Sequence, residues 1–189
     1  IAGNYPSPYG DEPKDAMTAN FVRKPGYHYG WDWGPRYVTA GISKPVRLQS
    51  WDRARIDNLQ LRQDRVTEAR ADVTAVATVD AVRAGRYLAR LWRTAPDGER
   101  VLAATQRVSL AAGVNRISQA IRIEKPQRWF PVGYGSQPLY RFELELLDGT
   151  QVIDARGERT GLRSVVLRRD PDAQGRGFAF NVNGIAIFA

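Results

Sequence analysis

Cysteine is missing from all 189 residues. That excludes disulfide frameworks, zinc thiolates and thiol nucleophiles. It does not fix a compartment, so none is assigned. Histidine occurs once, as His28; without a second histidine or a cysteine, no metal site is expected. No glycine-rich phosphate loop, nucleotide fingerprint or serine triad is present, so no cofactor is expected. No apolar run approaches the roughly 18–20 residues of a membrane-spanning helix; apolar stretches such as Val165 to Leu167 are strand-sized. The N-terminus, Ile1-Ala2-Gly3-Asn4-Tyr5-Pro6, lacks the basic and apolar segments of a secretory signal. It also lacks an initiator methionine, and the chain is read as starting inside something longer.

Acidic residues are outnumbered 28 to 20 by basic ones, giving a formal charge of +8 and a sequence pI of about 10.1. A basic pI raises the question of a nucleic-acid partner. The arginines, however, are dispersed (Arg47, Arg53, Arg55, Arg62, Arg65, Arg86, Arg90, Arg93), and Arg168-Arg169 is the only adjacent pair. Such spacing suits solvent-facing positions of a sheet, and no nucleic-acid partner is expected.

β-branched and aromatic residues recur over strand lengths between turn signals. Strands are predicted at 37–39, 46–51, 56–62, 71–79, 86–94, 100–105, 114–123, 139–147, 151–156, 162–169, 177–182 and 185–188. Pro96-Asp97-Gly98 and Leu147-Asp148-Gly149 read as hairpin connections, and Asn183-Gly184 as a two-residue type I′ turn. The alanine-rich stretch 67–84 could suggest a helix. Its inner set Val73, Ala75, Ala77, Val79 has period two, so it is predicted as strand. Strands at this spacing without intervening helices predict an all-β sandwich. Residues 1–50 are rich in Gly, Pro and aromatics and cannot form a core alone. Residues 51–170 suffice for one sandwich domain. Residues 171–189 read as a polar linker and a hairpin that stops without a cap, as if cut.

The densest chemistry lies in Phe21-Val22-Arg23-Lys24-Pro25-Gly26-Tyr27-His28-Tyr29-Gly30-Trp31-Asp32-Trp33-Gly34-Pro35-Arg36. Glycines bracket Trp31-Asp32-Trp33 and let the backbone project large side chains from a loop. A carboxylate accepts two hydrogen bonds at once and suits paired sugar hydroxyls. An indole face suits the C–H side of a pyranose. The tripeptide alone leaves another reading open, in which the aromatics plug the end of a sandwich and Asp32 caps a turn.

A longer pattern resembles the β-mannosidases of glycoside hydrolase family 2. It comprises Arg23-Lys24, Gly30 to Pro35, Thr39-Ala40-Gly41-Ile42 and Pro45-Val46, then Arg128-Trp129-Phe130-Pro131 through Gln137-Pro138-Leu139-Tyr140. Gly161-Leu162-Arg163 and Phe180-Asn181-Val182-Asn183-Gly184 through Ile187-Phe188-Ala189 complete it. Ser43-Lys44 departs from the family, which commonly has Trp-Arg there. The resemblance implies that residues 1–50 are the C-terminal segment of a sugar-binding jelly-roll domain bearing an active-site loop. Residues 51–170 would be an immunoglobulin-like sandwich, and 171–189 would lead into a missing catalytic barrel. It implies that Asp32 binds hydroxyls of a terminal mannose, that Trp31 and Trp33 shape the pocket wall, and that the chain packs on the missing jelly-roll and barrel. Residues 1–50 would then be disordered, or paired with another copy, without the rest of their domain.

The two glutamates of a retaining mechanism, roughly 5–5.5 Å apart, would belong to the barrel, so no catalytic residue is expected in this chain. Glu143 and Glu145 share one strand face, about 7 Å apart, but alternate with Phe142, Leu144 and Leu146 and read as a solvent face. His28 reads as structural or supporting, and Trp129 and Tyr140 as core and edge. The expected activity of the parent is removal of terminal β-mannose, with this chain inert by itself. Another family 2 activity such as exo-β-glucosaminidase, or a non-catalytic carbohydrate-binding module, are the alternatives.

Overall fold

The structure, a computed structural model, describes residues 22–187. Phe21 at the head of the aromatic motif, Phe188 at the end of the last predicted strand, and the order expected of residues 1–21 lie outside the described residues. The chain divides into two units, residues 1–49 and 50–189, and each is described by itself.

The second unit is built from β1 (Ala54–Val66), β2 (Arg70–Ala81), β3 (Gly85–Thr94), β4 (Arg100–Leu110), β5 (Gly113–Glu124), β6 (Tyr140–Asp148) and β7 (Gln151–Thr160). They form a three-stranded sheet, β1-β2-β5, and a four-stranded sheet, β4-β3-β6-β7. All pairings are antiparallel. Seven strands split in this way make an immunoglobulin-like sandwich. The alanine-rich stretch is strand β2, as its period of two predicts. Its inner row is Ala71, Val73, Ala75, Ala77, Val79 and Ala81, all buried. Small side chains there leave room for Leu91, Phe142, Leu144 and Leu146 from the other sheet. Large-against-small filling of this kind brings a core to organic-crystal density.

Gln119 is the buried polar residue of this core, 6% exposed. Its Nε2 donates to Ala89 O at 3.0 Å, a hydrogen bond from one sheet to the other. Its Oε1 has no partner.

Along one side the two sheets are joined by side chains. Register shifts in β1 make Asp57 and Asp64 the extra residues of two β-bulges. Ile56 N donates to Asp154 Oδ2 at 2.6 Å, and Arg156 donates to Asp57 O at 2.7 Å. Gln63 Nε2 donates to Thr160 Oγ1 and Gly161 O, while its Oε1 accepts from Arg163 N at 2.9 Å. Arg53 pairs with Asp148 at 2.8 Å.

Beyond the sandwich, β8 (Val165–Arg168), β11 (Ala179–Val182) and β12 (Ile185–Ile187) form a separate three-stranded sheet in the order β12-β11-β8. Asn183 (φ 52) and Gly184 (φ 87) both have left-handed backbone, as the expected I′ turn between β11 and β12 requires. Gly98 and Gly149 also have positive φ, 94 and 59, at the predicted hairpin connections.

Three expectations need correction. The strand predicted over 162–169 is not continuous: Leu162 makes a parallel bridge to Arg128, and only Val165–Arg168 forms a strand, outside the sandwich. The polar linker carries a small hairpin, β9 (Pro171–Asp172) with β10 (Gly175–Arg176). Residues 37–39 and 46–51 are not strands. β-branched and aromatic residues favour a strand only where a ladder partner exists, and none of the described residues supplies one; Leu48 is 100% exposed.

Candidate functional site

The aromatic motif forms a closed hairpin in the first unit. It begins with a single 3-10 turn, Gly26–Tyr29, in which His28 N donates to Pro25 O at 3.1 Å. Gly30 then takes φ 111 and ψ 144, which a side chain disfavours, and reverses the chain into the tip. Trp31 and Gly34 exchange both backbone hydrogen bonds, at 3.1 and 3.2 Å. Asp32 and Trp33 are the two central residues. Neither has positive φ, so the turn belongs to neither of the primed types usual in two-residue hairpins.

Two further ties nest outside this one. Arg36 lies over the Tyr29 ring at 5.8 Å, within cation–π range, and Tyr29 is 2% exposed. Tyr37 N donates to His28 O at 3.0 Å, and His28 Nδ1 lies 3.4 Å from Tyr37 O. The pairs 28/37, 29/36 and 31/34 share one centre, between Asp32 and Trp33. The motif thus carries its own base, although no strand was needed to form it.

At the tip the three expected site residues come together. The Trp31 and Trp33 rings are 5.5 Å apart and inclined at 56°. Trp31 is 55% and Trp33 75% exposed. Asp32 is exposed between them, with no hydrogen-bond or ion-pair partner among the described residues. Chemically this is an accepting carboxylate flanked by two apolar faces, a combination suited to a polyhydroxylated ring. The roles of His28, Tyr29, Arg36 and Tyr37 in closing the hairpin were not read from the sequence. The signal was present in their symmetric spacing about Asp32-Trp33.

In the second unit, three more sequence motifs converge at one end of the sandwich. Trp129 N donates to Leu162 O at 2.8 Å. Arg163 lies over the Trp129 ring at 4.8 Å. Asn183 Nδ2 donates to Trp129 O at 2.9 Å, and Asn183 Oδ1 accepts from Ser164 N at 3.0 Å. Tyr140 is buried, and its hydroxyl accepts from Gln127 N. These residues fasten the β8-β11-β12 sheet to the sandwich.

Glu143 and Glu145 alternate with buried Phe142, Leu144 and Leu146, as expected, but they are half-buried, and both are engaged. Glu143 pairs with Arg100 and Arg141, each at 3.0 Å. Glu145 accepts from Trp92 Nε1 at 2.9 Å, and Arg100 lies over the Trp92 ring at 4.4 Å. The solvent face is therefore a packed ionic network.

Elsewhere, the Thr74 hydroxyl and then Arg62, both bonded to the exposed Asp64, hold its carboxyl below the ordinary carboxylate range. The described residues contain no cluster of His, Cys, Asp or Glu able to hold a metal, and none of their helices is long and apolar enough to cross a membrane.

Comparison with known proteins adds the following. The sequence profile described as glycosyl hydrolases family 2 matches residues 54–163, and that described as glycosyl hydrolase 2 galactose-binding domain-like matches residues 3–44. Beta-mannosidase B of Thermothelomyces thermophilus is 36% identical over 174 residues, 88% of this chain and 19% of that protein. Beta-mannosidase B of Emericella nidulans is 32% identical over 171 residues, with the same shares. The chain thus spans about a fifth of the length of these relatives. The crystal structure of a β-D-mannosidase from Dictyoglomus thermophilum matches 100% of this chain and 23% of its own, with TM-score 0.87 and 33% identity. A Bacteroides uniformis β-glucuronidase matches 70% of this chain and 16% of its own, with TM-score 0.57 and 21% identity, a likeness of fold alone.

Proposed function

The chain belongs to glycosyl hydrolase family 2, and from that premise we propose that it is the non-catalytic middle of an exo-acting β-mannosidase. In this reading Asp32 accepts hydrogen bonds from two hydroxyls of a terminal β-mannose, and Trp31 and Trp33 form the wall of the sugar pocket. The reaction proceeds with retention, using two glutamates roughly 5–5.5 Å apart in a barrel domain that this chain does not contain. The sandwich serves as a spacer that fixes the jelly-roll domain against the barrel. Exposed Val165, Val166, Leu167 and Phe178 suit that packing.

The observation that carries the reading is the tip: an unpartnered carboxylate between two exposed indoles, on a hairpin closed by three nested ties. A tip that only plugged a sandwich would bury its tryptophans. The chain by itself is inert. The carboxylate pair weighed from the sequence, Glu143 and Glu145, is occupied by Arg100, Arg141 and Trp92 and lacks a free acid or nucleophile.

The test is hydrolysis of chromogenic β-mannoside, β-glucoside and β-galactoside by the full-length protein, with the 189-residue chain alongside. Cleavage of the mannoside alone, by the long protein alone, is expected. Cleavage of another sugar would refute the substrate, and activity of the short chain would refute its inertness. Asp32→Asn in the full-length enzyme should impair mannoside turnover; an unimpaired variant would remove Asp32 from the site.

A further inference from the structure

We propose that Arg86 and Arg107 form a binding site for a phosphate or sulfate group, in a groove on the outer face of the four-stranded sheet. The inference is independent of the sugar reading of Asp32.

Across β3 and β4, Arg86 faces Ser109, Tyr87 faces Val108 and Leu88 faces Arg107. Tyr87 and Val108 are buried in the core, so alternation turns Arg86, Leu88, Arg107 and Ser109 to the outer face. Arg86 and Arg107 are diagonal neighbours there, about 7–8 Å apart, a separation that long side chains span. Together with Leu88, Ser109 and the hairpin residue Gly149 they line a groove of about 640 Å³, the size of a small-molecule site. A Cβ on Gly149 would meet nothing within 4 Å, so that flank of the groove stays open.

Other arginines of the sandwich meet a carboxylate across the ladder. Arg122 faces Asp72 and pairs with it at 3.0 Å, and Arg100 and Arg141 share Glu143. In the groove this matching fails. Arg86 faces a serine and Arg107 a leucine, and no acidic residue lines the groove. Neither guanidinium has a hydrogen-bond, ion-pair or ring partner among the described residues. The neighbouring acids are taken: Asp148, next to Gly149, by Arg53 at 2.8 Å, and Glu145 by Trp92 Nε1 at 2.9 Å. Like charges on adjacent strands repel, and a bound dianion relieves that repulsion. Guanidinium forks pair with tetrahedral oxyanions through two parallel hydrogen bonds each. The Ser109 hydroxyl supplies a further donor, and half-buried Leu88 gives an apolar contact to the rest of the ligand.

The experiment is a backbone-amide NMR titration of the 189-residue chain with sodium phosphate, at a pH where phosphate is a dianion, and separately with sodium sulfate. Each is compared with sodium chloride at equal ionic strength. Saturable shifts at Arg86, Arg107, Ser109 and Gly149 are expected with oxyanion and not with chloride. A response to only one of the two oxyanions supports the site and identifies the group. Arg86→Gln and Arg107→Gln should each weaken the apparent affinity about tenfold, the worth of a hydrogen bond to a charged group. Arg116→Gln removes an exposed arginine of β5 that also lacks a partner among the described residues, and should leave the affinity unchanged. The amide spectrum of each variant reports at once that its fold is kept. Oxyanion shifts no larger than those with chloride would overturn the proposal. So would saturable binding that both groove variants leave intact, or that Arg116→Gln weakens equally.

Discussion

Replacing Gly161 with alanine is a small change with a large expected consequence. A Cβ at this position would lie 2.5 Å from Trp129 Cδ1 and Cγ and 2.6 Å from its Cβ. These are the rigid root of the side chain, so the indole cannot swing clear without leaving its seat. Gly161 itself has no left-handed backbone, so alanine would be harmless there but for this contact. Displacing Trp129 loosens everything attached to it: the bond to Leu162 O, the Arg163 guanidinium over its ring and the Asn183 amide on its carbonyl. Overpacking of this kind costs about 1–3 kcal/mol, which lowers Tm by roughly 3–10 °C for a unit of this size. Thermal unfolding of the purified chain, followed by tryptophan fluorescence, measures it. The decisive arm is a double-mutant cycle. In a Trp129→Ala background the clash has no partner, and Gly161→Ala should change stability by no more than about 0.5 kcal/mol. An equal loss in both backgrounds would refute the contact argument.

Phe142→Ala, fully buried on β6, should cost about 3–5 kcal/mol in denaturant unfolding, whereas Val132→Ser on the exposed loop should stay within about 0.5 kcal/mol. Asn183→Ala removes both side-chain bonds to Ser164 and Trp129 and places alanine at φ 52; the Ser164 amide should lose hydrogen-exchange protection while β2 keeps its own. Thr74→Val should raise the titration midpoint of the Asp64 carboxyl towards the ordinary carboxylate value, read by NMR. Because that carboxyl is held low in the folded chain, its contribution to stability is present above the ordinary carboxylate pKa and is lost as pH falls through the lowered one. The variant should therefore flatten the acid side of the stability profile.

The sandwich was legible because its signals are local. Val73, Ala75, Ala77 and Val79 declare a two-residue period, and Gly98, Gly149 and Asn183-Gly184 declare turns that need positive φ. The tip was legible for a similar reason, since glycines around Trp31-Asp32-Trp33 can only serve a loop. What escaped was relational. Residues 37–39 and 46–51 have strand composition without a strand to pair with, and composition cannot report a missing partner. Glu143 and Glu145 read as a wet face because alternation gives direction but not neighbours; Arg100 arrives from β4, some 40 positions away in the chain. The seat of Trp129 depends on Gly161 and Asn183, which only the fold brings together.

The side-chain seam between β1 and β7 has a consequence for how such a piece behaves in solution. Both are outermost strands of their sheets, and an outermost strand offers unpaired backbone groups that can recruit another molecule. Here some of those groups are already taken. Asp154 occupies the Ile56 N–H and Arg156 the Asp57 carbonyl, and two bulges break the flat register that an incoming strand would need. Neutralising Asp154 and Arg156 together would reopen this border, and the expected symptom is strand-to-strand self-association on concentration, a colloidal defect in a molecule whose core is intact.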